Sequence, residues 1–109
     1  MLDLSPKQIA LLERCAAAGF KIVAFPMYAS AVGLKKGNCA ALLTPSAADR
    51  MALLGEPCYL IGGNLAVRVR RNGMDLFVWK KDQLEATADR LAELKQFRRE
   101  LESLIGSGD

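Results

Sequence analysis

The sequence contains no histidine, and this absence excludes several common kinds of site. Histidine is the usual general base near neutral pH and a frequent zinc ligand, so Ser-His-Asp catalysis, Cys-His catalysis and nearly all zinc centres are excluded. An enzyme with this sequence would have to rely on lysine or carboxylate chemistry, and the chain contains no recognisable catalytic, metal or nucleotide motif. We therefore expect a protein that is not an enzyme, with no cofactor and no catalytic or metal-binding residues.

Cysteines are few and apolar runs are short. Cys15, Cys39 and Cys58 form an odd set without Cys-x-x-Cys spacing, which is typical of buried thiols in a reducing compartment. No apolar run approaches the ~18 residues of a membrane span. The first residues have neither the basic flank nor the apolar stretch of a secretory signal. We expect a cytoplasmic protein that does not associate with a membrane.

The chain has the size and composition of one domain, and its charge is unevenly distributed. Its 109 residues are 51% hydrophobic and 25% charged, so we predict a single domain over residues 1–109. Residues 1–81 carry 11 Lys/Arg and 5 Asp/Glu, a balance of +6, whereas residues 82–109 carry 4 and 7, a balance of −3. The acidic end can dock on the basic part, in its own chain or in a neighbour's, although surface charge also varies this much without function.

The stretch from Pro57 to Lys81 predicts three short strands joined by two tight turns. Asn72-Gly73 lies between two alternating runs, which is the strongest short-range signal for a two-residue hairpin turn. Gly62-Gly63-Asn64 provides the other turn. The Asn-Gly turn sets the register of its hairpin, which pairs Arg70 with Asp75, Val69 with Leu76, Arg68 with Phe77, Val67 with Val78, and Ala66 with Trp79.

Alternation along these strands produces two nonpolar faces. The aliphatic face contains Cys58, Leu60, Val67, Val69, Leu76 and Val78. The aromatic face contains Tyr59, Ile61, Arg68, Arg70, Asp75, Phe77 and Trp79. A sheet with two nonpolar faces needs cover on both sides, and either the rest of the chain or a partner must supply it.

Helical signals lie at both ends of the chain. Ser5-Pro6-Lys7-Gln8 predicts a capping box and the start of a helix that includes Ile9 and ends at Gly19. Residues 20–25 predict a strand, residues 31–43 a hairpin with its turn at 35–38, and residues 47–54 a short helix. From Asp82 to Ile105 apolar residues recur every three or four positions, which predicts a long helix that overhangs the sheet or bends near Thr87. Asp82 can cap the first turn of this helix, and Thr87 can cap a second start. Residues 106–109 are expected to be a disordered tail.

We therefore predict an α+β fold. It consists of a single antiparallel sheet of five to six strands, ending in the three-strand meander, packed by the N-terminal helix and the long C-terminal helix. The order of helix, two or three strands, short helix, meander and long helix resembles that of the roadblock/LC7 domains. The resemblance lies in element order alone and implies a dimerising regulatory domain.

The aromatic face and the C-terminal helix form the candidate partner surface. The distal apolar residues of the helix outrun the sheet of one chain, so a symmetric homodimer would bury them. We predict a small interaction or regulatory domain that acts as a homodimer and can bind a protein partner. The predicted contact residues are Tyr59, Arg68, Arg70, Phe77, Trp79, Phe97, Leu101 and Leu104.

Other interpretations of these residues remain open. Arginines interleaved with aromatic rings can bind single-stranded nucleic acid, which is the alternative function, although the chain lacks strong basicity and ribonucleoprotein motifs. The stripe of Leu91, Leu94, Phe97 and Leu101 can instead cover the aromatic face within one chain. Lys35 and Lys36 are candidate anion-binding residues in a glycine-flanked turn, and a solvated hairpin tip is the favoured alternative.

Overall fold

The computed structural model describes residues 4–25, 28, 30–47 and 50–106 of the chain. In these residues helix α1 (Pro6–Ala17) comes first and helix α2 (Ala88–Gly106) comes last. All their strand pairs are antiparallel. The predicted α+β class with antiparallel sheets is confirmed. Between the helices lie β1 (Lys21–Val23), β2 (Val32–Lys36), β3 (Cys39–Ala47), β4 (Arg50–Leu53), β5 (Cys58–Ile61), β6 (Asn64–Leu65), β7 (Val67–Arg71), β8 (Met74–Trp79) and β9 (Asp82–Glu85).

Six strands form a large sheet that is organised around β3. On one side β3 pairs with β2, which pairs in turn with β1 at the edge. On its other side β3 pairs with β5 near Cys39 and with β4 from Leu43 onward, and β5 continues to β6. The nine residues of β3 are long enough to serve two different strands on the same side.

Three strands form a second, small sheet in the order β7-β8-β9. Asn72 and Gly73 close the β7–β8 hairpin with φ values of 52° and 77°, the two positive values that a type I′ turn needs. Four of the five pairs predicted from this turn are confirmed. The predicted pair of Ala66 with Trp79 is wrong, because β7 begins at Val67 and the Ala66 N–H bonds instead to the Tyr59 carbonyl oxygen. The predicted meander is nevertheless divided between two sheets, because the strand is interrupted at Ala66. β6 belongs to the large sheet and β7 to the small one.

A strand replaces the short helix predicted for residues 47–54. β4 pairs with the second half of β3, with Leu53 opposite Leu43 and Met51 opposite Pro45. Residues 48 and 49 lie outside the described residues. Alanine, methionine and leucine are good helix formers, but the strand pairing that buries Met51 in the core overrides this local preference. The element order behind the roadblock/LC7 resemblance is therefore not the order of this chain.

The helix predicted from Asp82 is also wrong in its first part, which forms β9. Lys80 and Lys81 make a tight turn, with a φ of 54° at Lys80, and the chain folds back on β8. Leu84 lies opposite Phe77 and packs against the core from the sheet. The helical spacing between Leu84 and the leucines of α2 is therefore a coincidence. The turn before β9 was not predicted, because two lysines are not a typical sequence for a hairpin turn.

α2 begins after Thr87, at the second start that the sequence allows. The Thr87 Oγ1 accepts a hydrogen bond from the backbone N–H of Arg90 at 3.3 Å, as an N-cap residue does. The helix extends through Gly106, so the predicted disordered tail of residues 106–109 begins inside it. Residues 107–109 lie outside the described residues.

α1 begins with the predicted capping box. The Ser5 Oγ accepts the Gln8 N–H at 3.2 Å, and the Gln8 Oε1 accepts the Ser5 N–H at 2.9 Å. Gln8 is only 3% exposed, and its Nε2 donates to the carbonyl oxygens of Ala47 at 3.0 Å and Arg50 at 2.9 Å. This side chain ties α1 to the β3–β4 connection. The predicted Ile9 is 45% exposed, and the buried stripe consists of Gln8, Leu11, Leu12 and Cys15.

Aromatic contacts join the layers of the core. Phe20 and Phe97 meet edge to face, with ring centroids 5.4 Å apart, and so connect α2 to the segment after α1. Tyr59 of β5 stacks on Phe77 of β8, with centroids 4.8 Å apart and an interplanar angle of 8°, which connects the two sheets. The small sheet therefore turns its aromatic side toward the core and its aliphatic side outward.

Candidate functional site

Four of the eight predicted contact residues lie in the core. Tyr59, Phe77, Phe97 and Leu101 are all at most 5% exposed. The two sheet rings stack on each other, and Phe97 meets Phe20. These side chains pack the interior of a single chain and leave almost no surface to a partner.

The other four predicted contact residues lie nearer the surface. Trp79 and Leu104 are half-buried and pack against the edge of the core. Arg68 and Arg70 are exposed. The Arg68 Nη2 forms an ion pair with the Asp75 carboxylate at 3.3 Å, across the β7–β8 hairpin. The eight residues do not form one continuous surface, because the two arginines are exposed whereas four of the other residues lie in the core.

Of the two candidate anion-binding lysines, Lys36 binds a carboxylate of its own chain. Its Nζ lies 2.6 Å from the Glu100 Oε2, donates to the carbonyl oxygen of Ala18 at 3.0 Å, and lies 5.0 Å from the Phe20 ring centroid. The hydrogen bond from Lys36 holds the pKa of Glu100 below its usual range. Lys36 thus connects β2 to both helices, whereas Lys35 lies half-buried on β2.

Glu93 of α2 holds the tip of the β2–β3 hairpin. Its Oε2 accepts the backbone N–H of Asn38 at 3.1 Å, and its Oε1 accepts the Tyr59 hydroxyl at 3.1 Å. Gly37 has a φ of 60°, a conformation that favours glycine, and a Cβ there would lie 2.9 Å from the Glu93 Oε2, so the end of that side chain would have to shift. Burial and the hydrogen bond to Glu93 raise the pKa of Tyr59. These contacts hold the fold together and expose no reactive group.

The three thiols have the character of packing residues. Burial raises the pKa of Cys15, and it raises the pKa of Cys39 to about 12. The half-buried Cys58 also has a raised pKa, first through burial and then through the charge of Glu56. Since the thiolate is the reactive form, these environments suppress nucleophilic chemistry.

A groove lies between α2 and β7. It has a volume of about 290 Å³. We call it the α2–β7 groove, and it is lined by Glu56, Pro57, Arg68, Leu91, Leu94, Lys95 and Arg98. The four helix residues are spaced i, i+3, i+4 and i+7, which places them on one face of α2. The groove therefore combines an aliphatic floor with several cationic side chains.

The side of the small sheet that faces away from the core is the second open surface. We call it the outer face, and from the register it contains Val67, Val69, Arg71, Met74, Leu76, Val78, Gln83 and Glu85. Val67 is 58% and Met74 47% exposed, and the other three apolar side chains are half-buried. Val67 also lines a groove of about 330 Å³ on the large sheet, with Tyr28, Leu42, Leu54, Cys58 and Leu65. The apolar surface thus continues from one sheet to the other.

The sequence predicts the aliphatic residues of the outer face, but the predicted partner surface was the aromatic side with the C-terminal helix. The α2–β7 groove was missed, although the spacing of Leu91, Leu94, Lys95 and Arg98 is a helical signal for a mixed apolar and basic face. The opposing wall, Arg68 with the loop at Glu56, could not be found from the sequence. It arises only when α2 packs beside β7.

Comparisons with known protein families, with curated proteins and with solved structures find no match to this chain. Within the part of the chain that the structure describes, no group of three or more histidine, cysteine, aspartate or glutamate residues could hold a metal ion. No helix in that part is long and apolar enough to cross a membrane. We therefore infer function from the outer face and the α2–β7 groove.

Proposed function

We propose that this protein is a binding domain that acts as a homodimer through the outer face of the small sheet. The observation that carries the proposal is the exposed aliphatic surface around Val67 and Met74, which continues onto the large sheet. Soluble monomers rarely leave large contiguous apolar patches in contact with water. Binding to another protein surface would remove this patch from solvent.

The molecule is elongated, and its small sheet has one uncovered side. Its radius of gyration is 14.4 Å and its extents are 47 × 25 × 20 Å. A compact domain of this length has a radius of gyration of about 13 Å. A second sheet packed against the outer face would complete a two-layer arrangement of the kind that antiparallel sheets commonly form.

The charges at the two edges of the outer face favour a second copy of the chain as the occupant. Arg71 lies on the β7 edge and Glu85 on the β9 edge, and neither forms an ion pair with another described residue. A two-fold axis parallel to the strands places β7 of one copy over β9 of the other. Glu85 lies level with Val69 along the strand direction, because both residues pair with Leu76. Arg71 is two residues farther along β7, so Arg71 of one copy is offset from Glu85 of the other by about 7 Å along the strand. An extended arginine side chain can bridge this offset in both symmetry-related places.

The proposal is tested by the association state of a Val67→Glu variant. Burying a valine contributes about 1.5 kcal/mol, and the substitution occurs twice in a symmetric dimer, so we expect the dimer to weaken roughly 100-fold. Sedimentation velocity over a concentration series measures this change. Ile9→Glu is the matched control, because Ile9 is an exposed aliphatic residue on α1, and it should leave the association constant unchanged. A parent protein that stays monomeric throughout the series, or a dimer that Val67→Glu leaves intact, would refute the proposal.

A charge exchange then distinguishes a second copy from other occupants. Arg71→Glu alone and Glu85→Arg alone should each weaken the dimer, because each places like charges across the interface. The two substitutions in one chain restore opposite charges and should restore association. A double variant that is weaker than both single variants would show that these edges do not meet.

The alternative function, single-stranded nucleic-acid binding, has less support. Stacking on bases requires accessible rings. Tyr59 and Phe77 stack on each other in the core, and Trp79, the third ring of the predicted aromatic face, is half-buried. We therefore place protein binding first.

A further inference from the structure

We propose that the α2–β7 groove is a second binding site, which takes a short segment of a partner protein that combines an acidic and an aliphatic side chain. The groove lies on the inner side of the small sheet, opposite the outer face, so the proposal does not depend on dimerisation. Its walls come from α2, from β7 through Arg68, and from the loop at Glu56 and Pro57. Two features define the ligand: the aliphatic floor of the groove, and the different numbers of ion pairs that its cationic side chains already form.

The floor is aliphatic. Leu91 and Leu94 are half-buried and lie one helical turn apart on the side of α2 that faces β7. Pro57 adds a buried apolar wall. At about 290 Å³ the groove is just below the ~300–1,000 Å³ range of ligand pockets. This volume suits one or two aliphatic side chains rather than a large ligand.

The cations around the floor are not all engaged to the same extent. Arg98 contacts two carboxylates, Glu56 at 2.9 Å and Glu102 at 3.4 Å. Arg68 has one ion pair, with Asp75 at 3.3 Å, which leaves further guanidinium donors. Lys95 has no ion pair with another described residue. The groove thus offers Lys95 and part of Arg68 to one incoming carboxylate.

The same arrangement favours an acidic peptide over a nucleic acid. Glu56 lines the groove and Asp75 borders Arg68, so a continuous chain of phosphates would pass close to two carboxylates. A single carboxylate next to an aliphatic side chain meets the free lysine and the leucine floor without this repulsion. None of the described residues that line the groove is aromatic, so these residues give bases no ring to stack on.

The test is a titration of the isotope-labelled protein with a short peptide that alternates glutamate and leucine, followed by NMR. Two further probes are the same peptide with glutamine in place of glutamate, and a single-stranded oligothymidylate. We expect saturable shifts of the Leu91 and Leu94 methyl resonances with the acidic peptide, and weaker binding as salt is added. The glutamine peptide should bind less tightly, because it lacks the carboxylates.

Lys95→Gln should weaken binding of the acidic peptide about fivefold, the effect of one solvent-accessible ion pair. Lys21→Gln is the matched control, because it removes the same charge from exposed β1, away from the groove, and it should leave the affinity unchanged. Three results would overturn the proposal: no saturable shift at the two leucines, equal binding of the glutamine peptide, or tighter binding of the oligothymidylate at the same resonances.

Discussion

Replacement of Gln8 measures how strongly one buried side chain ties α1 to the β3–β4 connection. Gln8→Leu keeps a similar volume and removes three hydrogen bonds, one from the Ser5 N–H and two to the carbonyl oxygens of Ala47 and Arg50. Each bond contributes about 1 kcal/mol net, and the added apolar surface of leucine offsets part of the loss. We expect the free energy of unfolding to fall by roughly 2 kcal/mol.

This loss should be visible in thermal and urea denaturation followed by far-ultraviolet circular dichroism. At ~2.1 cal/mol/K of unfolding entropy per residue, a chain of 109 residues loses about 9 °C in Tm for 2 kcal/mol. Gln96→Leu is the matched control, because Gln96 is an exposed glutamine of α2, and it should change stability by less than about 0.5 kcal/mol. A Gln8→Leu variant that is as stable as the parent protein would refute the claim that these three hydrogen bonds stabilise the fold.

Gln8→Glu removes the side-chain N–H donors and keeps an oxygen that can accept a hydrogen bond, so it tests the two kinds of contact separately. The introduced carboxylate can still accept the Ser5 N–H, but it faces two carbonyl oxygens without a donor. Burial and these oxygens raise the pKa of the introduced carboxyl above its unfolded value. Protonation therefore favours the folded state, and the variant should gain stability as the pH falls through that raised pKa. A pH dependence identical to that of Gln8→Leu would contradict this account.

Two further predictions concern titratable groups. The lowered pKa of Glu100 stabilises the fold above its unfolded pKa, and this contribution is lost as the pH falls through the folded value, below its ordinary value of 4.5. Glu100→Gln should therefore lower the free energy of unfolding by about 0.5 kcal/mol at neutral pH and by almost nothing in acid. Urea denaturation at several pH values measures this difference. A loss that does not depend on pH would exclude the ion pair with Lys36 as its cause. Among the thiols, half-buried Cys58 should react first with a thiol reagent, and buried Cys15 and Cys39 only on unfolding. Equal rates for all three in the native protein would contradict their packing.

Local chemistry was enough to predict several elements. Ser5 and Gln8 form their capping box because both partners lie within one turn of the chain. Asn72-Gly73 closes its hairpin because these residues tolerate positive φ, and the register of β7 and β8 follows from that turn alone. Thr87 caps α2 for the same local reason.

The misassigned elements depend on distant partners. β4 is a strand because β3 extends beyond β5 and pairs with it, which no local preference of residues 50–53 reveals. β9 is a strand because β8 lies beside it, although Leu84 also fits the helical spacing of α2. Of the candidate site residues, Phe97 and Leu101 became core because α2 packs on α1 and the large sheet. The wall of the α2–β7 groove opposite the helix likewise exists only after packing.

The sequence by itself determined the α+β class, the hairpin register and the existence of two nonpolar faces on β7 and β8, because each follows from short-range geometry. Only the tertiary structure decided which of those faces is inside. The hydrophobic effect has no preferred direction, so two nonpolar faces compete until one finds a complementary surface. Here Tyr59 stacks on Phe77 and commits the aromatic face to the core. The aliphatic face around Val67 is then left to solvent, and the surface proposed for binding is the one that packing left open.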